Sequence, residues 1–131
     1  MTEILSRTVV ATDDAPAAIG PYSQAIRHGD VLYCSGALPL DPASGELVTV
    51  SPASATIRCL ENLQAICRAA GTELTNAVRV TVYTTRLERF AEINEAYSAF
   101  FRTTPPARVT IGVAALPKDA DVEIDAVVAM P

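Results

Sequence analysis

Arg108 is the first residue to call for a chemical explanation. It opens the run "PPARVTIGVAAL" (105–116), in which every other side chain is apolar or neutral. A guanidinium in a segment built for burial is costly unless an anion meets it. Its planar fork can hold a carboxylate through two parallel hydrogen bonds. One candidate partner is a carboxylate of the protein, in a plain Arg–carboxylate pair at a sheet edge or subunit contact. "VEIDAVVAM" (122–130) supplies Glu123 and Asp125, alternating with apolar residues. The other candidate is a small ligand's carboxylate. A nearby Glu could then act as acid or base on the rest of that ligand, its pKa raised by desolvation or lowered by Arg108.

Other reactive groups are few. Cys34, Cys59 and Cys67 form no CxxC pair and His28 is the only histidine, so a zinc site is poorly supported and no metal is expected. The thiols read as buried or half-buried groups in a reducing compartment. His28, in the turn-like "RHGD", reads as a solvated loop residue. A net charge of −5, with ten scattered Lys and Arg, argues against a nucleic-acid partner but leaves room for a small anion on one Arg. No run approaches the roughly 18 apolar residues of a membrane span. The opening "MTEILSRTVVATDD" has neither a signal-peptide nor a presequence pattern, so the expectation is a cytoplasmic protein. The 131 residues suit one domain, 1–131. Half of them are apolar, an excess that points to surface buried in an oligomer.

The elements that must position these groups follow from period and punctuation. "RTVV" (7–10) reads as a short strand and "DDAPAAIGPYSQA" as irregular. "VLYCSGALPL" (31–40) reads as a strand ending near Ser35–Gly36, "DPASGEL" as a turn, and a further strand is expected near residue 47. Ser51 and Pro52 start a helix that Gly71 closes, with Thr56, Cys59, Leu60, Leu63, Cys67 and Ala70 as its buried stripe. In "AVRVTVYTT" (77–85), Val78, Val80 and Val82 share one face. Thr85 and Glu88 are expected to form a capping box for a second helix. Leu87, Phe90, Asn94, Tyr97 and Phe101 lie along one side of that helix. Strands Val109–Ala115 and Val122–Val128 close the chain. The order β-β-β-α-β-α-β-β predicts an α+β fold, a single sheet with two helices on one face. Paired as a hairpin, the last two strands would bring Glu123 and Asp125 to Arg108's side, where Gly112 and Ala114 leave room.

Six stretches carry a family resemblance: "APAAIGPYSQAI", "LYCSGALPLDPASGEL", "LENLQAICRAAG", "RFAEINEAYSAFF", "PPARVTIGVAALP" and "VEIDAVV". In order and over nearly the whole chain, they resemble the Rid/YjgF family of imine and enamine deaminases. The resemblance implies a chorismate-mutase-like α+β fold with a mixed sheet. It implies a barrel-like homotrimer with sheets inside, helices outside and ligand sites between neighbouring subunits. It implies hydrolysis of 2-imino acids, such as 2-iminopropanoate and 2-iminobutanoate, to 2-oxo acids and ammonia, without a cofactor. The family's carboxylate-binding arginine falls on Arg108 and its C-terminal acid on Glu123. Its tyrosine falls on Tyr22, its "SG" on Ser35 and Gly36, and its helix asparagine on Asn94. Two departures stand out: Ala37 where many deaminases have Gln, and Thr110 where many have Cys. Thr110 is still small and can donate a hydrogen bond to a ligand. Pro106 also stands where an aromatic is frequent. Each position has a plainer role open to it. Tyr22 could be a packed aromatic, Ser35–Gly36 a strand-end turn, Asn94 a buried amide and Glu123 a surface acid. Two other functions fit the same residues: a non-catalytic small-carboxylate-binding or chaperone-like trimer, and a deaminase dedicated to a larger enamine.

Overall fold

The first helix forms as its ends dictate in the computed structural model, which describes residues 6–131. Residues 1–5, part of the opening stretch read above for targeting signals, lie outside the described residues. α1 (Pro52–Ala70) starts at Ser51, whose hydroxyl accepts from the Ser54 N–H at 3.0 Å. It ends at Gly71, which takes a left-handed φ of 91° that a side chain would resist. Thr56, Cys59, Leu60, Leu63 and Cys67 are buried along it as expected, joined by Asn62 and Ile66.

Among the described residues, six strands form one mixed sheet: β1 (Arg7–Val10), β2 (Ala25–His28), β3 (Val31–Ala37), β4 (Ala77–Thr84), β5 (Ala107–Gly112) and β6 (Val122–Ala129). A second helix, α2 (Phe90–Ser98), connects β4 to β5. The succession β-β-β-α-β-α-β-β holds, but one of its strands was not expected and one expected strand does not form. Ala25–His28 is a strand, hairpinned to β3 through Gly29 at φ 61°. The segment near residue 47 makes only an isolated bridge, Leu40 to Leu47. His28 is therefore a half-buried strand residue rather than a solvated loop histidine.

The largest correction concerns the last two strands, which are not a hairpin. The order across the sheet is β1-β2-β3-β6-β4-β5, with β6 antiparallel to both β3 and β4 and β5 parallel to β4 at the edge. Val122, Ile124, Ala126 and Val128 are all buried, so β6 gains most in the middle of the sheet beneath the helices. β5 is preceded by Pro105–Pro106 and suits an edge. Its parallel pairing with β4 requires a crossover, which α2 supplies.

Two smaller differences have local causes. β4 bulges between Ala77 and Arg79, so Val78 turns outward while Val80 and Val82 stay in the core. The capping box does not form. Glu88 pairs with Arg86, and a 3-10 turn (Leu87–Arg89) leads into α2. The helix accordingly buries Ile93, Ala96 and Tyr97, leaving Leu87 and Phe90 exposed and Asn94 half-buried. The core lies between the helices and one face of the sheet. On the other face Val9, Tyr33, Val109 and Ile111 remain exposed.

Candidate functional site

Strand register decides which candidates can meet. Arg108 is level with Val80, which is level with Ala126, and Thr110 is level with Val82 and Ile124. All four of those neighbours are buried on the helix side, so Arg108 and Thr110 face the helices. Glu123 is level with Tyr83, which is level with Ile111, and these face the open side. Within one chain, then, Arg108 and Glu123 lie on opposite faces of the sheet. The expectation that β6's carboxylates share Arg108's side fails because β4 separates the two strands and alternation places the groups oppositely. Gly112 leaves no notch either: a Cβ there would lie 3.0 Å from Leu87 Cδ2, so Leu87 already fills the space.

The candidates form two groups. On the helix side, the Arg108 guanidinium carbon lies 4.7 Å from the Tyr97 ring centre and 5.8 Å from that of Phe90. Among the described residues Arg108 makes no ion pair. Asn94 sits on α2 between the two rings in sequence. Its Oδ1, the Tyr97 hydroxyl and the Thr110 hydroxyl are buried with no hydrogen-bond partner among the described residues. Burial pushes the Tyr97 hydroxyl up to about 12, against the pull of the Arg108 charge, so it stays neutral.

On the open side, Tyr22, Ser35, Gly36 and Glu123 line one groove with Ile19, Leu38 and Pro117. Gly36 is required there by contact. A Cβ on it would lie 2.5 Å from Glu123 Oε2 and 2.9 Å from Cδ, so the carboxylate rests directly on the glycine backbone. Burial, and then the neighbouring Asp125 charge, hold the Glu123 carboxyl above the ordinary glutamate value. Asp125 itself accepts from the Tyr83 hydroxyl at 2.9 Å. Ser35 is not a free donor: its hydroxyl donates to the Ser23 carbonyl at 2.6 Å and so braces the loop carrying Tyr22. The Tyr22 hydroxyl accepts from the Ile19 N–H at 3.2 Å, which holds the ring against its own turn.

Two scaffold residues escape the reading by spacing. Gln24 is buried and organises the irregular segment: its Oε1 accepts from the Thr12 N–H, and its Nε2 donates to the carbonyls of Thr12 and Pro16. Asn62 Nδ2 donates to the carbonyls of Leu38 and Leu40, while its Oδ1 accepts from Arg58. The available signal was the accounting itself, since a long irregular stretch packed on a core needs side-chain partners for its backbone. That Phe90 and Tyr97 share one helix face was legible from their spacing, without Arg108 attached to them.

The three cysteines are free and buried. The Cys34 thiol is pushed far up by its hydrogen bond with Cys67 and by burial, and the Cys59 thiol by burial, so neither is a ready nucleophile. Among the described residues, no three His, Cys, Asp or Glu side chains gather as a metal site would require. None of the described helices is long and apolar enough to cross a membrane.

Such a chain is an α+β protein that presents a guanidinium and an acid on separate surfaces. Residues 12–130 match the protein-family model described as Endoribonuclease L-PSP, and the chain belongs to this family, the Rid/YjgF family. It is 53% identical over 121 residues to the RutC family protein y4sK of Sinorhizobium fredii, covering 92% of this chain and 96% of that one. It is 43% identical over 123 residues to the human 2-iminobutanoate/2-iminopropanoate deaminase, covering 94% and 90%. Among solved structures, Escherichia coli TdcF with bound serine superposes with a TM-score of 0.90 at 37% identity, covering 95% and 99%.

Proposed function

We propose that this protein hydrolyses small reactive 2-imino acids, such as 2-iminopropanoate or 2-iminobutanoate, to 2-oxo acids and ammonia. It would do so as a cytoplasmic homotrimer with its sites between subunits. The observation that carries this reading is the state of Arg108, a half-buried guanidinium that, among the described residues, has no carboxylate on it and has neighbours with unpaired polar atoms. Identity to a relative named as such a deaminase supports the choice of substrate.

Because Arg108 and Glu123 face opposite ways, a substrate of a few atoms reaches both only if a neighbouring copy brings its Glu123 groove to this chain's Arg108. Arg108 then fixes the substrate carboxylate, with Thr110 and Asn94 beside it to orient the ligand. Glu123 of the neighbour takes a proton from water as its oxygen bonds to the imine carbon. The C=N electron pair moves to nitrogen, which takes that proton back from the Glu123 carboxyl. The carboxylate then takes the adduct's hydroxyl proton and passes it to the nitrogen, so that the C–N bond breaks with release of ammonia while the C=O bond forms and the carboxylate is restored. Tyr22, Ser35 and Gly36 wall the neighbour's side.

The test is ammonia-producing turnover of freshly generated 2-iminopropanoate. Arg108→Ala should abolish it. Arg108→Lys should lose about 10- to 100-fold, the equivalent of one charge-assisted hydrogen bond of about 1.5–3 kcal/mol. An undiminished rate in Arg108→Ala overturns the reading. A second reading, a trimer that binds a small carboxylate without turning it over, is favoured by the separation of Arg108 from Glu123 within the chain. Carboxylate binding lost in Arg108→Ala, with no turnover in the unmodified protein, would select it.

A further inference from the structure

The rings beside Arg108 bear on how its donors are presented. A guanidinium donates only in its own plane, through five N–H groups at its edge. Here two aromatic rings flank its central carbon, at 4.7 Å for Tyr97 and 5.8 Å for Phe90. Attraction between the cation and the negative ring faces favours contact through the flat side. Contact on that side leaves the edge donors free.

The rings are placed for this. Phe90 and Tyr97 are seven residues apart on α2, two helical turns, so they project from the same side. Tyr97 is only 6% exposed and is wedged against Phe101, with ring centres 4.8 Å apart. It is thus a fixed surface and not a mobile neighbour. Arginine otherwise has many rotamers, and a side chain ordered in advance costs less to immobilise when its ligand arrives.

We propose that Tyr97 and Phe90 are positioning residues, whose rings hold the Arg108 guanidinium so that its N–H fork is ready for the ligand's carboxylate. This rests on the reading of Arg108 as the carboxylate-binding group. It accounts for the absence of an ion pair among the described residues despite Arg108's half-buried position.

The probe is pyruvate, a 2-oxo acid with the same carboxylate, used as a competitive inhibitor of 2-iminopropanoate turnover in the assembled protein. Tyr97→Leu should raise the pyruvate Ki and the substrate KM together by about tenfold, with kcat within about twofold. Phe90→Leu should move both in the same direction by less. Tyr97→Phe, which keeps the ring, should stay within about twofold of the unmodified protein. A merely structural role lowers the folded fraction, and hence the apparent kcat, without moving Ki. Phe90 is 41% exposed, so its replacement tests the idea even if Tyr97→Leu does not fold. An unchanged Ki in the ring-removing variants that fold, or a Tyr97→Phe as weak as Tyr97→Leu, overturns the proposal. Arg108→Ala separates the two levels. Loss of pyruvate binding there with unchanged ring variants refutes the rings alone, and retained binding there refutes the carboxylate reading itself.

Discussion

Gly36→Ala puts the open-side groove to the sharpest test, because the added atom is specified by the structure. Its Cβ would lie 2.5 Å from Glu123 Oε2, 2.9 Å from Cδ and 3.2 Å from Cγ. Ordinary contact begins near 3.4 Å, so the carboxylate must retreat by almost an ångström. Gly36 lies within a strand and takes no left-handed φ, so alanine strains no backbone. The stability cost is therefore that of moving one half-buried side chain, about 1 kcal/mol, or a melting point lower by about 4 °C. The catalytic cost is larger, since a misplacement of about 1 Å in a reacting group costs about 10²-fold. Turnover of 2-iminopropanoate should thus fall about 100-fold while pyruvate binding, through Arg108, is retained. Gly112→Ala is the control, because its Cβ meets Leu87, an exposed side chain that can shift. If Gly36→Ala turns over substrate at the unmodified rate, Glu123 does no chemistry from this position and the assignment of its role is wrong.

Two further outcomes follow from named contacts. The Glu123 carboxyl is held above its ordinary 4.5, first by burial and then by the Asp125 charge, and a general base is lost as pH falls through its pKa. The acid limb of the kcat/KM profile should therefore lie above 4.5, and Asp125→Asn should move it to lower pH. A limb that stays in place separates activity from Glu123 titration. Asn62→Ala leaves the Leu38 and Leu40 carbonyls without their donor, which should cost about 3 kcal/mol and lower the melting point by about 10 °C. Scanning calorimetry or circular dichroism reads this, and a shift below about 2 °C would show that water replaces the amide at no cost.

What was legible in the sequence was whatever local chemistry determines. Ser51–Pro52 and Gly71 bound α1 as read, because caps and a left-handed glycine act within one turn. Residues of β6 alternate as read, because a strand buried on one face has a period of two. What was not legible depended on partners distant in sequence. Nothing in "ARVTIG" says whether its neighbour is β6 or β4, and that choice reverses the relation between Arg108 and Glu123. β2 was hidden because "AIRH" is short and half polar, and it exists mainly by pairing with β3 and β1. The capping box at Thr85–Glu88 failed to a nearby competitor: Arg86 takes Glu88, and the Thr84 hydroxyl accepts the Arg86 N–H at 2.9 Å. Of the candidate residues, Tyr22, Ser35, Gly36 and Glu123 are brought to one groove and Asn94, Arg108 and Thr110 to the helix side of the sheet. Spacing alone contained no sign of that partition.

The partition constrains how a complete site could arise. To turn Glu123 toward the helices, β6 would have to slip by one residue, and a one-residue slip reverses every side chain on the strand. Val122, Ile124, Ala126 and Val128, all buried now, would leave the core and charged Asp125 would enter it. That exchange costs far more than any gain at the site, because Val122, Ile124 and Val128 alone lose burial of about 1.5–3 kcal/mol each. Apposing two copies leaves the register intact and can also cover Tyr33, Val109 and Ile111, which the chain alone leaves in water. On the proposed reading, then, assembly and catalysis share a cause: the alternation that builds a good core in one chain sends its cation and its acid to opposite faces.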